Sequence, residues 1–530
     1  MARPRPVFSA RCTTLPLGVG SAGLATLAFA APPLKGREVR EDKGKLQKHF
    51  YNPRIHRMWR GAQVSAPMRS STQRIRFMVA LTTSAILAVT LLAGCMGMRT
   101  DGEKRSRQDQ ESVAGVYRSG DERPALPKLD ATAPFHDFLL FAMLNQPQVE
   151  AAYFDWAASV RAITVKRSLP DPRLTFSSDI SDMVVSLMPG LMMDFPGPGK
   201  LKWAANVATA ESEGKYFAFE WSVLQSAFAL KKAYYELHFL DAKVTVNQET
   251  IRLTDEIEKL ARAQNEVGRG TLQDVLRAQI EQERLTTEIE NLQDSRNLLL
   301  AQFKAALGLT EEDAAPPVPK TFESTPLDLT PDKLLATALV RNPRLKAMEA
   351  EVRRADASIR LAYKARVPDF SVGIEVDAKV SPIFVTPQLG VTIPIWRDKI
   401  AAQLAGAQAG KRASEARLSA EQIALAVQFA DKAFMFREAT RNLELITERL
   451  LPRARQSLEV AQLGYVSGKV AFLDLLDAER TLLGFQLSEV EARVQRELGL
   501  AELSLLILGT PPAGAPVLRT NATPTKERNP

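Results

Sequence analysis

Cysteine is nearly absent from this 530-residue chain: only Cys12 and Cys95 occur, so no disulfide framework holds it together. Histidine is scarce as well, with 4 in all, and His136 and His238 stand far apart. There is no phosphate-binding loop and no nucleophile elbow, and so thin a histidine supply excludes most acid-base enzymes. Basic runs interleaved with aromatics are also lacking, so the net charge of +8 does not point to nucleic acid. Part of that charge lies in an Arg/Lys-rich N-terminal stretch. The apolar run 78–92 is too short to span a bilayer comfortably.

That run has a purpose of its own. Arg69, Arg74 and Arg76 precede it as a positive n-region, and 78–92 suits a signal-peptide h-region. It ends in Leu92-Ala93-Gly94-Cys95, which resembles the bacterial lipoprotein box. The resemblance implies that Cys95 takes a thioether-linked diacylglycerol and becomes the acylated N-terminus; Met96 at position two fits lipoproteins sent to the outer membrane. Residues 68–94 then form the signal peptide, and 1–67 a doubtful extension from a start assigned too far upstream. The polar stretch 95–129 reads as a lipid-anchored tether.

Beyond the tether the chain is duplicated. Lys232-Ala233-Tyr234 returns as Lys432-Ala433-Phe434, and Gly268-Arg269-Gly270-Thr271 as Gly468-Lys469-Val470-Ala471, at an offset of about 200 residues. Gln146-Pro147 pairs with Asn342-Pro343, Leu169-Pro170-Asp171 with Val367-Pro368-Asp369, and Leu307-Gly308 with Leu508-Gly509. Repeat 1 spans 130–310, a Pro-rich linker 311–331, repeat 2 332–510, and a disordered tail is expected at 511–530.

Each repeat reads helix, strand, strand, long helix, long helix, mainly α with a small β contribution. A single helix is expected over 137–167. Leu174, Phe176, Ser178 and Ile180 alternate with polar neighbours, as do Phe370, Val372, Ile374 and Val376. The second strand of repeat 1, around 187–195, is the weakest. Period-two alternation sets one face against apolar surroundings and the other against water. Four strands cannot close a barrel, and an open edge in lipid would leave backbone groups unpaired. Strands in a membrane therefore require several chains to share one barrel.

The helices beyond are long: 200–266 holds no proline, and 271–307 neither Gly nor Pro. Leu253, Ile257, Leu260 and Val267 make a heptad seam, as do Leu285, Ile289, Leu292 and Leu299. A bend is expected near Pro452.

With Phe195-Pro196-Gly197-Pro198-Gly199-Lys200-Leu201 and Ala233-Tyr234-Tyr235-Glu236-Leu237, these landmarks make the chain similar to the TolC-like outer-membrane efflux proteins over 137–510. The resemblance implies a homotrimer in the outer membrane of a Gram-negative bacterium, with one shared β-barrel above a tunnel of coiled helices. A periplasmic adaptor and an inner-membrane pump would be its partners, and it would need no cofactor beyond the lipid on Cys95.

In that family, aspartates matching Asp474 and Asp477 ring the periplasmic mouth. They lie three apart, on one helix face. The aligned pair in repeat 1 is Asp274 and Arg277, and Arg277 is a candidate partner for a second-repeat carboxylate. An ordinary solvated helix start rich in acids is the plainer account. Gly268, Arg269, Gly270, Gly468 and Lys469 match the tips that meet the adaptor, or simply supply turn chemistry. Met183, Met188, Met192 and Met193 cluster near the first hairpin; thioethers suit Cu(I), but irregular spacing favours packing, and no metal site is expected. The expected function is an exit duct for small solutes such as metal ions or drugs. The alternatives are a duct for type I protein secretion and a pore-less coiled-coil scaffold.

Overall fold

The computed structural model describes residues 97–118, 122, 124–181, 184–319, 331–377, 384–512 and 518. The chain divides between Arg76 and Phe77, and every described residue lies in the second unit. Cys95, the signal peptide and most of the C-terminal tail fall outside the described residues.

The stretch expected as a tether is instead largely helix α1 (Asp101–Tyr117). Thr100 caps it by accepting from the Glu103 N–H at 3.1 Å, and Asp101 and Glu103 supply acid to the first turn. Glu103 is fully buried and is paired with Arg107 at 3.2 Å and with Arg167 of the next helical layer at 2.8 Å. Composition reads this segment as solvated, whereas the buried Glu103 carboxylate and the core residues Val113 and Tyr117 tie it down.

The single helix expected over 137–167 is also two, α2 (Phe135–Asn145) and α3 (Pro147–Arg167). Pro147 disfavours the α conformation at Gln146 and suits the first turn of a new helix. Repeat 2 breaks at the matching place, between α6 (Pro331–Arg341) and α7 (Pro343–Lys364). In both repeats an asparagine at this break caps the end of the same repeat's last helix. Asn145 Nδ2 donates to the carbonyls of Leu307 and Gly308 at 3.1 and 3.0 Å, and Asn342 Nδ2 to those of Leu506 and Ile507 at 3.0 Å each.

The strands are β1 (Arg173–Ser181), β2 (Val184–Phe195), β3 (Asp369–Asp377) and β4 (Phe384–Thr392), antiparallel in that order. Their register aligns the apolar residues: Leu174 faces Leu191, Leu191 faces Ile374, Met193 faces Val372, and Val372 faces Leu389. Leu174, Phe176, Leu191, Phe370, Val372, Ile374, Leu389 and Val391 are all exposed. They form one apolar face four strands wide. The opposite face carries Thr175, Ser371, Glu375, Thr386 and Gln388. The strands run 9, 12, 9 and 9 residues, and a tilted membrane strand needs about 9–11. Pro189 is paired with Phe176 of β1 but lies just beyond the end of the β2–β3 ladder, so it owes β3 no donor.

From the sheet run α4 (Lys200–Glu266) and α5 (Leu272–Ala306) in repeat 1. At 67 residues α4 is about 100 Å long. Of its expected seam, Ile257 is buried and Leu253 and Leu260 half-buried, but Val267 is exposed. Repeat 2 replies with α8 (Arg397–Leu445), a π-helical turn (Ile446–Leu450), α9 (Leu451–Val466) and α10 (Phe472–Glu502). The π turn falls where the bend was expected. Pro452 has no N–H and crowds the carbonyl four residues back, and a wider turn relieves both. Among the described residues no helix is long and apolar enough to cross a membrane.

Candidate functional site

The two helix turns far from the sheet repeat their hydrogen bonds residue for residue. Gly268 N–H donates to Asn265 O at 3.0 Å and Arg269 N–H to Gln264 O at 2.8 Å; Gly468 N–H donates to Tyr465 O at 3.0 Å and Lys469 N–H to Gly464 O at 2.8 Å. Gly268 and Gly468 have φ of 73° and 74° with open space around them, so backbone conformation alone calls for glycine. Gly268, Arg269, Gly468 and Lys469 are exposed, and Gly270 is half-buried.

The turns differ in how the next helix starts. Thr271 and Asp274 form a capping box, with Asp274 Oδ2 accepting from the Thr271 N–H at 3.1 Å. Asp274 thus has a structural task. In repeat 2 the cap is Ala471, which has no side chain to offer. Asp474 and Asp477 are exposed, and neither carboxylate makes a hydrogen bond or ion pair among the described residues. Arg277 is half-buried and makes none either, so the expected contact between it and a second-repeat carboxylate is not made within one chain.

Between the free aspartates α10 turns its buried side inward. Leu475, Leu476 and Leu482 join Ile257, Val275, Ala278, Ala454, Leu458 and Tyr465 in one apolar cluster. Tyr465 packs edge-on to Phe472, with centroids 5.6 Å apart. Burial first, and the Asp274 carboxylate second, push its hydroxyl above the ordinary tyrosine range. Repeat 1 and repeat 2 therefore meet at the turns.

Two acids are buried in this joint, and the spacing of polar motifs did not single them out. Glu479 is 1% exposed and accepts a hydrogen bond from the Thr254 hydroxyl of α4. Glu281 of α5 is 2% exposed and is held through one oxygen, Oε2, by Arg480 Nε at 3.2 Å and Nη2 at 2.6 Å. A signal was available, since Glu479 lies on the stripe Leu475, Glu479, Leu482, where helical periodicity calls for an apolar residue. Burial pushes Glu479 up to about 7, against the pull of Thr254; nearby Glu281 adds to the rise and Arg480 opposes it.

The described methionines do not converge. Met192 and Met193 are neighbours on a strand and point to opposite faces, and Met183 lies outside the described residues. Among the described residues no three His, Cys, Asp or Glu side chains gather as a metal group. Burial lowers the His238 imidazole, and Asp241 partly offsets this.

Residues 334–509, the second repeat, match the outer membrane efflux protein family. The cobalt-zinc-cadmium resistance protein CzcC of Cupriavidus metallidurans is 26% identical over 39% of this chain and 50% of its own length. The pyoverdine export outer membrane protein OpmQ of Pseudomonas putida is 28% identical over 31% of this chain and 35% of its own. The matched stretch thus spans half or less of these curated relatives. The crystal structure of the outer membrane protein VceC from Vibrio cholerae has the same fold, with a TM-score of 0.60 at 18% identity, covering 71% of this chain and 95% of that one. The second repeat thus matches that family, and the fold over most of the chain is that of a solved outer membrane protein.

Proposed function

We propose that this chain is one protomer of a homotrimeric outer-membrane duct that exports small solutes from the periplasm. The observation that carries the reading is the sheet: one apolar face four strands wide, with β1 and β4 left as open edges, joined to helices that reach about 100 Å away. Lipid covers such a face without penalty, and pairing β4 of one copy with β1 of the next closes the edges. Far from the sheet, Leu272, Leu276 and Ile280 stand exposed along α5, and Val460 and Leu463 along α9, which supports packing between copies.

Acylated Cys95 anchors the chain, and the glycine turns with Arg269 and Lys469 meet a periplasmic adaptor served by an inner-membrane pump. Asp474 and Asp477, free within one chain, ring the mouth. Three chains bring six carboxylates near the axis, where they favour cations and resist opening until the helices part. The work is selection and gating, with no bond chemistry. Divalent metals are the first cargo to test, because the relative named for cobalt-zinc-cadmium resistance covers the larger share of this chain; siderophores and drugs come next.

Planar-bilayer recording of the purified protein, with gel migration before and after heating, tests the duct. Discrete conductance steps and a heat-sensitive trimer band are expected; a monomer that never conducts makes the chain a scaffold. A deletion strain sensitive to cobalt, zinc and cadmium but not to dyes or bile salts identifies the cargo as metal.

A further inference from the structure

Glu479 is buried in an apolar cluster yet takes no part in the ring of exposed aspartates two and five residues before it. Its Oε1 has the Thr254 hydroxyl as donor, and its Oε2 is buried with no hydrogen-bond partner. Arg480, the next residue, turns away from it and pairs with Glu281. Two buried carboxyl groups therefore share one close guanidinium. Arg284 approaches Glu281 Oε1 only at 3.4 Å, from a largely exposed position.

Among the described residues no second cation acts on Glu479. From α4 it faces Thr254; Glu258, one turn on, is engaged by Arg262, Gln279 and Gln282. From α5 comes Glu281, of its own sign, with Arg284 behind it. From α9 the cluster receives Leu451, Ala454, Leu458 and Ala461, all apolar, and Tyr465, a titratable hydroxyl that burial keeps neutral well above this range. On α10 itself Arg480 is the one cation that acts on it.

We propose that Glu479 is a proton-operated latch: neutral, it holds the first turns of α10 against α4 and α5, and ionised, it releases them. The inference rests on reading these turns as the channel mouth. When the proton leaves for water, a bare carboxylate remains among leucines and alanines, which is costly. Either Arg480 swings to it and strands buried Glu281, or α10 moves until water reaches it. Both outcomes loosen the joint between repeats, directly behind Asp474 and Asp477. Burial lifts the titration of Glu479 to about 7, so the change falls in the range a periplasmic protein meets.

Amide hydrogen exchange of the full-length protein in lipid, on segments 250–262 and 472–486, tests the latch, with Glu479→Gln alongside. Between about pH 6 and about pH 8 the ionised fraction rises roughly tenfold for a group titrating near 7. After correction for intrinsic exchange, protection in both segments is expected to fall by a similar factor in the native protein and to stay constant in Glu479→Gln. Equal protection across this range in the native protein overturns the latch, and that arm stands even where the variant does not fold. The same loss in Glu479→Gln overturns it too. Conductance rising with pH is the second expected result. A protein silent at every pH refutes the duct, while the exchange data still decide the latch.

Discussion

Arg480 donates twice, through Nε and Nη2, to the same oxygen of Glu281, although the two residues lie 199 apart in the chain. The pair joins the second helical hairpin of repeat 2 to that of repeat 1, next to a second buried acid that has no such cation.

The first prediction concerns that second acid and stability. The fold raises the Glu479 carboxyl from 4.5 to about 7. Between these values the folded chain holds a proton that the unfolded chain has released, so stability falls as pH rises. The contribution is fully present below about 4.5 and has been lost by the time pH has risen through about 7, an effect on the order of 3 kcal/mol per protomer. Glu479→Gln keeps an acceptor for Thr254 and removes the titration. Denaturant midpoints from pH 5 to pH 8 should decline for the native protein and stay level for the variant, apart from groups common to both.

The exposed aspartates give the second. Asp474→Ala with Asp477→Ala should raise single-channel conductance and lower cation preference, with little change in stability, since neither carboxylate has a partner among the described residues. Unchanged conductance would reduce them to a solvated helix start.

Third, the two sheet faces should respond differently to charge. Val372→Arg places a cation on the apolar face and should cost about 2–4 kcal/mol at mid-bilayer depth. Thr386→Arg lies on the opposite face and should assemble normally. Yield of heat-modifiable trimer in outer-membrane fractions distinguishes them; equal yields would mean that lipid does not cover the first face.

Fourth, Glu103→Gln leaves Arg167 and Arg107 without their buried counter-ion, and breaking such a pair costs about 3–5 kcal/mol. The loss should stay local to α1. Trypsin should then cut at Arg105 and Arg107 while the remaining helices stay protected, as mass mapping of the fragments would show.

Much of this was legible from residue order. The Pro and Gly landmarks placed both turns and both strand pairs, because positive φ and a missing N–H are local demands that a residue meets or fails by itself. Period-two runs at Leu174 and Phe370 marked strands for the same local reason. Long-range pairing was harder to read. Residues 101–117 are polar on average and read as tether, yet a carboxylate paired across 64 residues with Arg167, and Val113 and Tyr117 buried in the core, make them a packed helix. Arg277 was a candidate partner for a second-repeat carboxylate, and among the described residues of one chain no such pair forms. Arg480 forms the bridge instead.

The sequence by itself determined the duplication, the helix and strand types, the glycine turns and the positions of the acids, since each follows from backbone geometry or side-chain periodicity within a few residues. Only the tertiary structure decided which acids are buried and which stand free. Asp477 and Glu479 are two residues apart on one helix, and one faces solvent while the other is enclosed by α4, α5 and α9. Burial is a property of what packs against a face, and part of that surrounding is α4, whose Thr254 lies 225 residues away, beyond the reach of any local rule.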